Sequence, residues 1–221
     1  MDKDYSHTIE EIIEKNPARV FIKRALKGII PTKNVWECTI FVFLCLAGAL
    51  VSYKVAFVPE TVELVSKLCG HLIEIQLALF SCVFAVYSIL LAFLSNDYMK
   101  RLSKIKGTDG TSSLKQYTTY YESVLFLFFV NIAATGALLL ATDFLPVDAS
   151  LTTTLNFENK LAFFGLFLYF SFSFRVFYEI KSTIYNTIIL FRYSIVYRFM
   201  SFANEDEANN NDSLNVEGKD K

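Results

Sequence analysis

Between Ile75 and Asn96 the chain runs twenty-two residues, IQLALFSCVFAVYSILLAFLSN, without one charged side chain. A helix rising 1.5 Å per residue needs about 20 apolar residues to cross the hydrocarbon core of a bilayer, so this stretch can span one. Twelve of its side chains are Leu, Ile, Val or Phe. Each favours insertion by roughly 0.3–0.6 kcal/mol, on the order of 4–7 kcal/mol together, which outweighs Gln76, Ser81 and Ser88. A soluble helix of this length keeps a polar face, and this one has none. The chain reads as a membrane protein.

Composition extends that reading to several spans: of 221 residues, 53% are hydrophobic and only 19% charged. A net charge of −1 implies no direct nucleic-acid partner. Cys38, Cys45 and Cys82 fall inside apolar stretches, where a thiol behaves as a small hydrophobe. Cys69 falls in an expected loop. With no CxxC spacing and only His7 and His71, neither a metal site nor a disulfide is expected.

Residues 1–34 form a basic leader. Thr8 to Glu11 fits a capping box, and Asn16 with Pro17 starts a second helix that Gly28 and Pro31 stop. That second helix sets Phe21, Ile22, Ala25, Leu26 and Ile29 against Arg19, Lys23, Arg24 and Lys27. Such a helix fits the surface of an anionic leaflet, or the protein's own cytoplasmic face. A four-span membrane domain occupies residues 35–177, with spans about 36–57, 72–96, 121–142 and 157–177. Trp36 and Tyr53 suit the two interfaces of the first span. Ala47, Gly48 and Ala49 give it a small-residue patch, and Ala133, Gly136 and Ala137 give one to the third. A helical stalk, 178–203, carries Ile180, Ile184, Ile188, Phe191, Ile195 and Phe199 as an apolar stripe, joined by Arg192 and Arg198. The Asn-rich acidic tail, 204–221, reads as disordered. The fold class is an all-α membrane protein with four transmembrane helices, N-terminal amphipathic helices and a cytoplasmic extension of the fourth.

Of 21 Lys and Arg, eighteen fall in the leader, the middle loop and the C-terminal part; Lys54, Lys67 and Lys160 alone fall in the other two loops. The positive-inside rule then places both termini and the middle loop in the cytoplasm. Lys100, Arg101 and Lys104 of that loop join Arg19, Lys23, Arg24, Lys27, Arg192 and Arg198 as candidate contacts for lipid headgroups or an acidic partner.

Asn131 is the most central polar residue, and it either marks a pathway or makes an interhelical hydrogen bond. Glu74, Gln76 and Glu37 sit at span mouths, as cation-selecting groups or as interfacial caps. Arg175 and Glu179 make an i,i+4 pair at the inner edge of the fourth span. The Phe-rich run of that span suits packing or lipid contact. No nucleophile–base pairing, phosphate loop or metal motif occurs, so no catalytic, cofactor or metal residue is assigned and the chain is not expected to be an enzyme.

The layout, from the TIEEIIEKNPARVFIKRALKG leader through four spans with short outer loops to the FRYSIVYRF stalk, resembles the KwaA family, the membrane subunit of the bacterial Kiwa anti-phage defence system. The resemblance implies a homo-oligomer in the inner membrane that senses phage attack and recruits a cytoplasmic DNA-binding partner. No site residue follows from it. The residues themselves point to a non-enzymatic sensor or scaffold that meets membrane lipids, further copies of itself and a cytoplasmic protein. The rival expectation is a small oligomeric channel or pore-forming effector lined by Asn131, Thr135, Gln76 and Ser81.

Overall fold

Asn34 opens the first helix: its side-chain oxygen accepts from the Trp36 amide at 3.2 Å and caps α1, Val35–Ala56. The structure, a computed structural model, describes residues 22, 25, 34–58, 60–93, 96–106, 110–144 and 157–217. Most of the basic leader, with Thr8–Glu11, Arg19, Lys23, Arg24 and Lys27, lies outside the described residues, as do residues 145–156 and 218–221. After a turn in which the Thr61 hydroxyl donates to the Val58 carbonyl at 2.6 Å, α2 runs Thr61–Phe93. The amphipathic α3 is Asn96–Lys104, α4 is Ser113–Phe144 and α5 is Phe157–Glu217. Gly110, at φ 74°, turns the chain between α3 and α4, where Lys106 and Ser112 form an antiparallel bridge.

Among the described residues, four helices (all but α3) are long and apolar enough to cross a membrane. The second begins earlier than its charge-free stretch. Residues 61–71, read above as loop, are the first turns of α2, and Cys69 is a buried helical thiol there. The reason is periodicity. Val65, Cys69, Leu72 and Gln76 recur every three or four residues on the packed side. Glu63, Lys67, His71 and Glu74 are exposed on the other, with Lys67 donating to Glu63 at 2.6 Å.

Helices that follow one another in sequence are not the ones that pair most closely. α1 runs antiparallel along α5, with Gly48 against Ser171 and the Phe57 ring 6.4 Å from Phe163. α2 runs antiparallel along α4, with Gln76 at Thr135 and the Tyr87 ring stacked 5.7 Å from Tyr121. Three hydrophobic layers stack along the bundle. The first joins Val55 and Ala56 to Cys69 and Phe170, the second joins Val83 to Phe128 and Val176, and the third joins Leu90 to Tyr121 and Leu190. Tyr98 and Leu102 of α3, one turn apart, close the third layer.

In the distal part of α5 most of the apolar stripe faces outward. Thr183, Leu190 and Ser194 are turned inward, while Ile184, Ile188, Ile195 and Phe199 are exposed. Tyr120 and Tyr121 hydrogen-bond to Thr183 and Thr187 at 3.3 and 2.7 Å, so polar contacts hold the inner side and leave the apolar stripe outward. The helix also continues to Glu217, through most of the stretch read as a disordered tail. Extending an existing helix avoids the unfavourable nucleation step.

Candidate functional site

Five polar side chains meet inside the bundle where α2, α4 and α5 converge: Gln76, Asn131, Thr135, Tyr169 and Ser173, none more than 8% exposed. Asn131 and Thr135 are one turn apart on α4, and Tyr169 and Ser173 are one turn apart on α5, so each helix presents a polar pair to the other. Thr135 Oγ1 lies 2.8 Å from Gln76 Oε1, 2.9 Å from the Asn131 carbonyl and 2.7 Å from the Tyr169 hydroxyl. A threonine hydroxyl carries one proton and two lone pairs. The Tyr169 proton therefore goes to Thr135, freeing the Thr135 proton for the Gln76 amide oxygen and the Asn131 carbonyl. Ser173 donates to Asn131 Oδ1 at 2.8 Å.

The side-chain oxygens of the two amides are thus engaged, while Gln76 Nε2 and Asn131 Nδ2 are buried with no partner among the described residues. Rotating either amide exchanges an unpartnered donor for an unpartnered acceptor. With no water in hydrocarbon, such bonds join helices whose apolar surfaces gain little from leaving lipid. The cluster ties three helices together at one depth.

A second polar feature lies further along α5. Arg175 and Glu179 form an ion pair with side chains 12% and 14% exposed, and the Arg175 guanidinium stands 5.6 Å from the Tyr178 ring centre. Lys181 approaches the same ring at 5.6 Å.

Other sequence candidates separate. Gly48 is buried at the α1–α5 contact, with Ala47 half-buried beside it. Ala133 and Ala137 are exposed, and a Cβ at Gly136 would have nothing within 4 Å. Lys104, Arg192 and Arg198 are exposed; Lys100 and Arg101 lie on α3. Of the four residues named as a pore lining, Gln76, Asn131 and Thr135 are enclosed within one chain and Ser81 faces outward. Sequence reasoning passed over Tyr169 and Ser173. The available signal was their four-residue spacing inside a Phe-rich span, matching that of Asn131 and Thr135 on α4. Among the described residues, no three His, Cys, Asp or Glu side chains group closely enough to hold a metal ion.

The fold and its interior define a helical bundle of the membrane-spanning kind. No protein-family model, curated protein or solved structure matches the chain.

Proposed function

We propose that the protein is a non-enzymatic membrane scaffold or sensor, which docks a cytoplasmic partner on the distal part of α5. The observation that carries this reading is the outward side of that helix. Ile195 beside the last hydrophobic layer and Phe199, Met200 and Phe202 beyond it are exposed, with Arg192 and Arg198 exposed nearby. Large apolar side chains grouped beside cations are the composition of a recognition surface. On the positive-inside count this surface faces the cytoplasm together with α3 and the leader. The layout resemblance makes the bacterial inner membrane, a homo-oligomer and a DNA-binding defence partner the specific form of the proposal.

A photo-crosslinking residue at Phe199, compared with one at Leu50, tests it in cells. The expected result is a discrete adduct with one soluble protein at Phe199 only, lost when Ile195→Asp is added. Adducts confined to lipid, or a reporter after Lys221 found outside the cell, overturn it. Conductance across planar bilayers, abolished by Asn131→Leu, would establish the channel reading instead.

A further inference from the structure

Length alone takes α5 out of any bilayer. Its apolar segment Asn159–Met200 is 42 residues, about 63 Å and roughly twice the thickness of a hydrocarbon core. α1 lies beside its first part, at Phe163 and Ser171. Further along, one face of α5 is open. Ile188, Ile195, Phe199 and Phe202 are 46–70% exposed there, and they follow at spacings of seven, four and three. That is the recurrence of a coiled-coil seam, about 21 Å long. A seam of this kind is covered by a second helix, whose apolar side chains enter the gaps between its own.

Charge decides whose helix that is. Lys181 and Arg192 are exposed, and Arg192 lies one turn from both Ile188 and Ile195. A second copy standing parallel would set Arg192 level with Arg192, and like charges so placed repel. The leader would add Arg19, Lys23, Arg24 and Lys27. Moreover Ala25, in the middle of its apolar set, is only 1% exposed while the seam stays open. Glu205, Asp206 and Glu207 belong to α5 itself, which continues unbroken to Glu217 and does not fold back. Those three carboxylates, within about a turn of Phe202, also oppose contact with an anionic leaflet. What complements the seam is apolar and acidic.

We infer that the seam seats an acidic amphipathic helix of a partner protein. Its apolar side chains pack on Ile188, Ile195, Phe199 and Phe202, and its carboxylates reach Arg192 and, at one end, Lys181. The inference rests on the docking reading above and names the partner's surface.

Full-length protein in phosphatidylcholine nanodiscs is titrated with labelled peptides of about 21 residues, three heptads. The first carries a leucine stripe flanked by Glu, the second has Lys for each Glu, and the third keeps the Glu but scatters the leucines. Fluorescence anisotropy, corrected for lipid-only nanodiscs, reads the binding. The first peptide is expected to bind roughly tenfold more tightly than either of the others. Phe199→Asp lowers its affinity roughly tenfold. Arg192→Glu lowers it about threefold and raises that of the Lys peptide by a similar factor. Equal affinities for the three peptides on wild-type protein overturn the inference, whether or not the variants fold. Folded variants that bind as wild type does overturn it too. The Phe199 crosslink separates the two readings. A soluble protein joined through a segment that is neither acidic nor helical overturns this inference and leaves docking standing, whereas adducts confined to lipid overturn both.

Discussion

Two small-residue patches in this chain look alike in sequence and meet different surroundings. On α1, Gly48 sits where any side chain would collide: an added Cβ would stand 2.5 Å from Ser171 Oγ and 3.0 Å from the Ser171 amide nitrogen. On α4, Gly136 faces open space, with Ala133 and Ala137 exposed. The difference follows from what lies across each helix. Asn131 precedes Ala133 by two residues, about 200° around the helix. Once Asn131 and Thr135 turn inward to Gln76, Tyr169 and Ser173, the alanines must turn outward. On α1 nothing polar competes, because Ser52, the buried hydroxyl, donates to the Gly48 carbonyl at 2.7 Å within its own helix. Small residues permit close approach, but a polar group on the same helix decides which side approaches.

The contrast can be broken hardest at Gly48. Gly48→Leu must push backbone from backbone along α1–α5, and the cost lies near the upper end for an overpacked contact, about 3 kcal/mol. Denaturant-induced unfolding in detergent, followed by circular dichroism, reads the loss. A midpoint equal to wild type would mean that α1 does not pack on α5 through this face.

Next comes Thr135→Val, nearly isosteric and silent on the outward patch. It removes three hydrogen bonds and strands the Gln76 amide oxygen and the Tyr169 hydroxyl, a loss of about 2 kcal/mol. Asn131→Leu follows with a smaller effect, about 0.6–1.5 kcal/mol, because its amide nitrogen is already without a partner and only the Ser173 bond is lost. If Asn131→Leu proves worse than Thr135→Val in the same unfolding assay, the cluster is not centred on the threonine.

Span number was legible because insertion depends on length and charge, which are local properties of sequence. The start of α2 was hidden by the same criterion: Glu63 and Lys67 looked like loop charges, yet they occupy one side of a helix whose other side packs Val65, Cys69 and Gln76. The importance of Asn131 was readable from its position in a charge-free span, and its partners were not. Ser173 lies 42 residues further on, and only the folded pairing brings it to Asn131. The α5 stripe was legible in its spacing and not in its orientation. Spacing reveals an apolar face, but which face turns inward was settled by tyrosine–threonine bonds to another helix.

The smallest effect belongs to the outward patch and gives the comparison its control. Gly136→Leu adds a large side chain in the middle of a span, which by sequence reasoning alone would be as damaging as the change at Gly48. Here an added Cβ has nothing within 4 Å among the described residues, and replacing glycine also removes excess freedom from the unfolded backbone. Its unfolding midpoint in detergent is therefore expected within about 0.5 kcal/mol of wild type. A loss as large as that of Gly48→Leu would mean that another helix covers this face, and that the polar cluster does not choose the orientation of α4.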